Sequence, residues 1–374
     1  MRHLLLDALA VENGKTGVGQ YIHELLDPLL SAAPVDMDFT VMINTSVVED
    51  HPFVEMIKRH PNARLLRKDI PAIGLKRDLL FWKYRKEFSC DLFHCLYSNH
   101  PLFFKGKQMV TIHDLKYIVH PEYMGSKGAA KSLYLRKLMH NAASRCEKLI
   151  AVSKSTKNDL LKKFPGVKGL DEKTRVIYEG ATVSMAENKE IFKKFNLDKP
   201  YFLYLGELRP HKNVKRLVEA FIRFKKHVEG ASDVHLIIAG KPHKSFDMKE
   251  IAGRKDIIVT GYVQDEDKYT LYSNALAYCL PSLYEGFGLP ILEAMKCGTA
   301  VLTSDFSSTA EVAGNAAKLV DPLDPADIAW GMKKIFTDEK YRNTLIERGY
   351  AREKEFSWKK AAEETLAVYK EILG

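Results

Sequence analysis

The chain of 374 residues has little that would anchor, cross-link or metallate it. It contains no uninterrupted apolar run of the roughly 18 residues that a membrane-crossing helix needs. Its five cysteines (Cys90, Cys95, Cys146, Cys279, Cys297) are odd in number and form no C-x-x-C pair, which suits buried thiols in a reducing cytoplasm. No group of His, Cys and acidic residues has metal-ligand spacing, so no metal is expected. Gly14, Gly17 and Gly19 do not compose G-x-G-x-x-G, and no acidic residue closes a second strand at the required distance, which argues against a dehydrogenase. The N-terminus, Met1-Arg2-His3-Leu4-Leu5-Leu6-Asp7, is charged too soon for a signal peptide and reads as a buried first strand. There is no internal repeat and no low-complexity tract.

What is present describes a globular chain long enough for two domains, 46% hydrophobic and 28% charged. The net charge is +9, and it is unevenly placed: residues 1–180 hold 28 Lys+Arg against 20 Asp+Glu, whereas the remainder is nearly balanced. Much of the excess lies in residues 76–86 (Lys-Arg-Asp-Leu-Leu-Phe-Trp-Lys-Tyr-Arg-Lys) and in residues 127–138, where lysines and Arg136 mix with Leu133, Tyr134, Leu135 and Leu138. Basic residues beside apolar ones suit an anionic membrane surface. A solvated helix with a core-facing stripe gives the same pattern. No motif for nucleic-acid binding accompanies the charge, so nucleic acid is not expected as a partner.

Apolar strand patterns alternate with helical ones in both halves. They fall at residues 4–7, 39–43, 92–95, 109–112, 149–152 and 176–178, then at 202–205, 234–239, 257–260, 275–280, 300–303 and 317–320. This alternation predicts an α/β fold with two parallel-sheet domains, 1–180 and 181–357, joined by a polar segment at 180–200 that carries a short helical pattern over 188–195. A last helix over 358–373 has an apolar stripe at Ala361, Ala362, Leu366, Tyr369 and Leu373.

Residues 281–298, Pro-Ser-Leu-Tyr-Glu-Gly-Phe-Gly-Leu-Pro-Ile-Leu-Glu-Ala-Met-Lys-Cys-Gly, carry the most chemistry. A strand runs into a glycine-bearing loop, then a helix opens with Pro290 in its first turn and ends at Gly298. Ligands sit at the carboxyl ends of such strands. Gly286 and Gly288 let backbone N–H groups come close to a ligand, and the helix N-terminus favours an anion. Glu285 and Glu293 bracket this segment as acceptors for hydroxyl groups.

The spacing Glu285-x7-Glu293, in the form E-G-F-G-L-P-I-L-E, resembles the signature of the retaining GT-B glycosyltransferases. Nearly the whole chain resembles family GT4, especially its bacterial mannosyltransferase-like members. The resemblance implies two Rossmann-like domains facing across a cleft, with helix 358–374 returning to the N-terminal, acceptor-binding domain. It implies transfer of a hexose from a nucleotide diphosphate sugar, held by the second domain, to an acceptor hydroxyl with retention at the anomeric carbon and no metal. In that frame Glu293 accepts from the ribose and Glu285 from the sugar's 3- or 4-hydroxyl. Phe287, Gly288 and Leu289 offer N–H groups, and Arg209 and Lys212 stabilise the leaving diphosphate. His113, in Thr-Ile-His-Asp-Leu at a strand end, helps hold the sugar, and Asp114 orients its loop or serves the acceptor.

Other segments follow the family less closely. Gly17 and Gly19, after the first strand, are expected to turn a helix N-terminus towards the diphosphate. Glu207 stands where many members have Gly-Arg, His211 where mannosyltransferases read Pro-Arg-Lys-Asn, and Glu179 where an Asn-Gly-Val turn has asparagine. Ser153 reads as a helix cap that could also face the acceptor. Gly240 permits close packing, and Lys241 reaches a phosphate or solvent. Asp36-Met37-Asp38 has the form of the metal motif of GT-A enzymes but precedes a strand and reads as a turn. The expected donor is GDP-mannose, with UDP-sugars, a nucleotide-sugar 2-epimerase and a non-catalytic nucleotide-sugar-binding module as alternatives. The expected acceptor is a glycan or a lipid-linked glycan in cell-surface polysaccharide or lipopolysaccharide assembly, met in the cytoplasm or at the inner membrane face.

Overall fold

In a computed structural model the described residues are 1–14, 16–195, 197–241, 243, 251 and 253–374, without the side chains of 126 and 127. The side chain of Lys127, where the second basic stretch begins, therefore lies outside the described residues. The chain forms two compact units, Met1–Glu179 with Ser357–Gly374, and Gly180–Phe356.

The first unit is built on a seven-stranded sheet of order β3-β2-β1-β4-β5-β6-β7. Its strands are β1 (Arg2–Asp7), β2 (Met37–Asn44), β3 (Ala63–Lys68), β4 (Leu92–Cys95), β5 (Gln108–Ile112), β6 (Lys148–Ala151) and β7 (Thr174–Val176). The second unit has a six-stranded sheet of order β10-β9-β8-β11-β12-β13. There the strands are β8 (Tyr201–Leu205), β9 (His235–Ala239), β10 (Ile257–Gly261), β11 (Ala277–Leu280), β12 (Val301–Ser304) and β13 (Lys318–Val320). Every pairing is parallel. The central strands are continuous apolar runs because helices cover both faces of such sheets. Leu4, Leu6, Phe202, Leu203, Tyr204 and Cys279 are wholly buried.

The helices that matter below are α1 (Gly17–Ala32), α2 (Leu75–Lys83), α3 (Gly128–Arg145), α4 (Lys154–Lys163), α5 (Val214–His227), α6 (Asp265–Ser273), α7 (Leu289–Lys296) and α8 (Trp358–Leu373).

Each strand expected from the apolar runs is present, with β7 displaced towards the N-terminus to Thr174–Val176. The sequence pattern missed β3, Ala-Arg-Leu-Leu-Arg-Lys. It is an edge strand paired only with β2, and an edge carrying Arg64, Arg67 and Lys68 does not read as an apolar run.

Chain order reverses between β1 and β4 in the first sheet and between β8 and β11 in the second. A crevice for a ligand opens at the carboxyl ends of the strands flanking such a reversal. The topology thus selects the loops after β1, β4 and β5 in one unit, and those after β8 and β11 in the other.

The last helix, α8, completes the first unit. The Trp358 ring packs on Tyr21 of α1 at 5.6 Å, and the Tyr369 hydroxyl lies 2.7 Å from Nδ1 of His94 on β4. Nε2 of His94 faces Thr111 Oγ1 at 3.0 Å. Burial, with a smaller contribution from His113, depresses the His94 pKa to about 3. Burial and the charge of Arg77 likewise depress His100 to about 3.

A histidine held neutral in this way binds its proton in the unfolded chain first. Stability is then full above pH 6.5 and falls as the pH drops from 6.5 towards 3. Each of the two histidines contributes a slope on the order of 1.4 kcal/mol per pH unit across that window. Urea unfolding followed from pH 7 to pH 4 should show this acid limb, and His100→Leu should flatten it by about one proton.

Candidate active site

In the second unit, the loop after β8 and the loop after β11 carry Lys212 and Glu285, and the two side chains meet. Lys212 Nζ donates to Glu285 Oε1 at 2.6 Å, and Ser282 Oγ donates to the same oxygen at 2.7 Å. The Glu285 side chain is mostly enclosed, at 12% exposure. Its own carbonyl accepts from Ser308 Oγ at 2.8 Å and Ser307 Oγ at 3.2 Å. These serines give the Glu285 backbone side-chain donors from the helix Ser307–Ala313.

The loops are tied together by Asn213, which has φ of 61° and opens α5. Its Nδ2 donates to the carbonyls of Pro281 at 2.9 Å and Pro322 at 2.7 Å, while Arg216 donates to its Oδ1 at 3.0 Å. The Leu283 N–H reaches the His211 carbonyl at 2.7 Å. Asn213 and Ser307 are the non-glycine residues with positive φ among the described residues, and both lie at this constellation. Such backbone persists only where surrounding bonds enforce it.

Glu293, in α7, is buried. Tyr272 donates to its Oε2 at 3.0 Å, and Lys268 Nζ stands 3.9 Å from its Oε1. Burial by itself would lower the Lys268 pKa, but Glu293 and Asp265 outweigh it and hold the ammonium above its ordinary value. Pro290 lies in the first turn of α7, and Gly288 precedes it with φ of 118°. The Phe287 ring is buried against Phe356 at 5.9 Å.

The remaining expected residues of this unit fall at the same strand ends with other contacts. Arg209 is half-exposed and ion-paired with Glu207, the residue that departs from the family pattern. Gly240, after β9, has φ of 153°, and a Cβ there would stand 1.9 Å from the Gly206 carbonyl oxygen. Lys241 is exposed, with its ammonium over the Tyr262 ring at 5.1 Å.

In the first unit, the loops at the β1/β4 reversal enclose a cavity of about 340 Å³. Glu12, Thr16, Ser98, Asn99, His113 and Asp114 supply its polar lining, and Tyr97, Tyr117, Leu135 and Met139 much of the rest. Nε2 of His113 faces the Leu96 carbonyl at 3.0 Å, which makes it the donor there. Nδ1 faces Glu179 Oε1 at 3.5 Å. The Tyr21 ring meets the imidazole edge-on at 4.4 Å. Glu179 is thus the partner of His113, a pairing across 66 positions that no local pattern reveals. Asp114 Oδ1 accepts from the Lys116 N–H at 2.9 Å, so it shapes its loop while lining the cavity.

Two expectations in this unit are modified. Gly19 does not present its amide outward at the start of α1, because Thr16 Oγ1 accepts from it at 3.0 Å. Gly17 has open space around its Cα. Ser153 is wholly buried, caps α4 through the Thr156 N–H at 2.9 Å, and does not line the cavity. Sequence reasoning also missed Ser282, Asn213, Lys268 and Tyr272. Ser282 was visible in principle as the serine three residues before Glu285; the others depend on long-range packing.

The two glycine positions give opposite predictions. Gly240→Ala should lower the unfolding free energy by about 3 kcal/mol or more, since backbone must move and the residue is strained at its φ. Gly17→Ala should stay within about 0.5 kcal/mol of the parent. Urea midpoints of the two variants check both.

The sequence models of known families match both units. Glycosyltransferase Family 4 matches residues 16–184 and Glycosyl transferases group 1 matches residues 186–352. The chain is 28% identical to O-antigen chain mannosyltransferase B of Escherichia coli, over 95% of this chain and 96% of that protein. It is 27% identical to O-antigen chain mannosyltransferase RfbU of Salmonella typhimurium, over 86% and 88% respectively. Its fold is similar to that of sucrose-phosphate synthase from Thermosynechococcus elongatus, with a TM-score of 0.76 at 19% identity over 99% of each chain. With two parallel-sheet domains of the GT-B type and both halves matched, the chain belongs to the glycosyltransferases of family 4.

Proposed function

We propose that this glycosyltransferase moves mannose from GDP-mannose to a hydroxyl of a glycan or lipid-linked acceptor, with retention and without a metal, in assembly of O-antigen or related lipopolysaccharide chains. Two relatives named as O-antigen mannosyltransferases, each aligned over more than four-fifths of this chain, support the sugar and the setting. The observation that carries the chemistry is the Lys212–Glu285 pair at the β8/β11 reversal.

In this reading the donor exchanges partners with the protein. Lys212 leaves Glu285 for the diphosphate, and Glu285 accepts from a sugar hydroxyl instead. Arg209 makes the corresponding exchange from Glu207. Lys212 and Arg209 thus keep an anionic partner in both states, while Glu285 keeps the Ser282 donor and gains a sugar hydroxyl. Glu293, its charge balanced by Lys268, accepts from the ribose hydroxyls. The backbone of Phe287, Gly288 and Leu289 and the turn at Gly240 and Lys241 line the phosphate and base.

The acceptor occupies the cavity of about 340 Å³ in the first unit, next to Asp114, Asn99 and Ser98. His113 gives up its longer contact, the one to Glu179 at 3.5 Å, to meet the sugar. The acceptor oxygen bonds to the anomeric carbon as the bond from that carbon to the diphosphate oxygen breaks. The departing oxygen takes the acceptor's proton from the same face, so configuration is kept. Lys212 and Arg209 stabilise the charge that develops on the diphosphate.

Thermal unfolding with GDP, UDP and ADP, each with and without its common sugar, tests the donor in metal-free buffer. GDP and GDP-mannose should raise the midpoint as RT ln(1 + [L]/Kd) while UDP and ADP do not. A UDP response instead would move the donor to a UDP-sugar. Glu285→Ala should lower turnover by about 100-fold or more while the fold persists. Undiminished transfer in that variant would remove Glu285 from the site, and an NMR spectrum showing an inverted linkage would refute retention.

A further inference from the structure

Helix α2 is built inside out. Its buried face carries Arg77, Asp78 and Phe81, whereas Leu75, Leu79 and Trp82, one turn apart, stand 66%, 61% and 55% exposed. An ordinary surface helix places its charges outward and its leucines inward. The rotation of α2 is set by its two buried charges. Arg77 is ion-paired with Asp7, donates to the Asn99 carbonyl at 3.0 Å and stacks on the Phe81 ring at 4.5 Å. Asp78 accepts from the Leu102 N–H at 3.0 Å and from the Tyr134 hydroxyl of α3 at 2.9 Å. Turning the helix to hide its leucines would break these bonds, so the apolar side is held outward.

Asp78 also ties α2 to two segments that carry further exposed apolar residues. Phe103, next to Leu102, is 47% exposed, and Leu133, next to Tyr134, is 70% exposed. The exposed charges on α2 and α3 themselves are all basic, and Glu87, beyond the end of α2, is paired with Lys68. Lys76, Lys83, Arg85 and Lys86 are exposed on α2 and just after it, and Arg136 and Lys137 on α3. Arg85 lies over the Trp82 ring at 4.7 Å. On α3 the basic field runs on into a groove of about 800 Å³ lined by Arg136, Lys137, His140 and Lys163.

From this geometry we propose that the outer face of α2, extended by Leu133 and Phe103, docks the protein on an anionic lipid bilayer. Indole and leucine side chains enter the boundary between headgroups and acyl chains, and the surrounding lysines and arginines meet anionic headgroups. No helix among the described residues is long and apolar enough to cross a membrane, so attachment of this kind is peripheral. Ile73, just before α2, is 49% exposed and also lines the cavity assigned to the acceptor. The segment leading into α2 thus reaches that cavity through Ile73, and the cavity is where an acceptor held by a lipid would have to arrive. The inference rests on the reading above only for the purpose of docking; lipid capture is measured without turnover, so a failure of sugar transfer leaves it intact.

The full chain is floated with phosphatidylglycerol/phosphatidylcholine vesicles and with phosphatidylcholine alone, at about 0.1 M salt. Binding should require the anionic lipid. The triple variant L75S/L79S/W82S should bind roughly tenfold or more weakly, and K76E/K83E should bind weakly as well. Neither should alter the melting temperature, because the substituted side chains are exposed. Tryptophan emission should shift to the blue on anionic vesicles, and Trp82→Phe should abolish that shift although Trp330 in the second unit is also exposed. Equal binding by the triple variant, or an emission shift that survives Trp82→Phe, overturns the assignment. So does a wild-type dimer that the triple variant dissociates while vesicle binding is unchanged, since the face would then belong to a second copy of the chain.

Discussion

The side-chain amide of Asn213 holds the second unit's site together. One nitrogen bridges the carbonyls of Pro281 and Pro322, which come from the loops after β11 and β13, while the residue itself ends the loop after β8. Three strand ends are thereby fixed to one another. Together with the Leu283 N–H on the His211 carbonyl, this tie joins the loops on which Lys212 meets Glu285. The left-handed backbone of Asn213 costs of the order of 1 kcal/mol or more, and its hydrogen bonds offset it. Ser304 and Thr303 extend the same scheme through the Ser282 and Leu280 carbonyls, at 2.6 and 2.8 Å.

The charges of that site are arranged in pairs. Lys212 has Glu285, Arg209 has Glu207, and Lys268 has Glu293. Glu207 and Glu179 both depart from the family pattern, and each stands beside a residue assigned to the chemistry: Glu207 beside Arg209 and Glu179 beside His113. Glu207 supplies a counter-charge to Arg209, and Glu179 a carboxylate to His113. In the proposed reading, exchange of partners is more selective than simple neutralisation, because a ligand then has to offer an anion to Lys212 and a hydroxyl donor to Glu285 together.

How much of this was legible beforehand follows the range of the interactions. The turn Gly286-Phe287-Gly288-Leu289-Pro290 is local, so its residue types announced the helix start and the two glutamates around it. Buried parallel strands are runs of apolar residues, and these placed the two sheets; β3 escaped because an edge needs no such run. Long-range pairs left no trace. Asn213 and Pro322 are 109 positions apart, and His113 and Glu179 are 66 apart. Helix α2 shows the limit most clearly. Its sequence allowed either a core-facing leucine stripe or an exposed one, and the choice is made by Asp7 and Tyr134, which no inspection of residues 76–86 could supply.

The same dependence on distant packing reaches His113. Its ring is set between the Leu96 carbonyl, Glu179 and the edge of Tyr21. Tyr21 in turn rests against Trp358, the first residue of α8, and α8 is fixed further along by Tyr369 on His94. The last helix of the chain is therefore part of the support of a residue that ends the strand β5. A truncation that removed α8 would unseat Tyr21 and expose His94 as well as uncover a face of the sheet. The return of the chain's end to its first unit is thus a condition for the cavity beside His113.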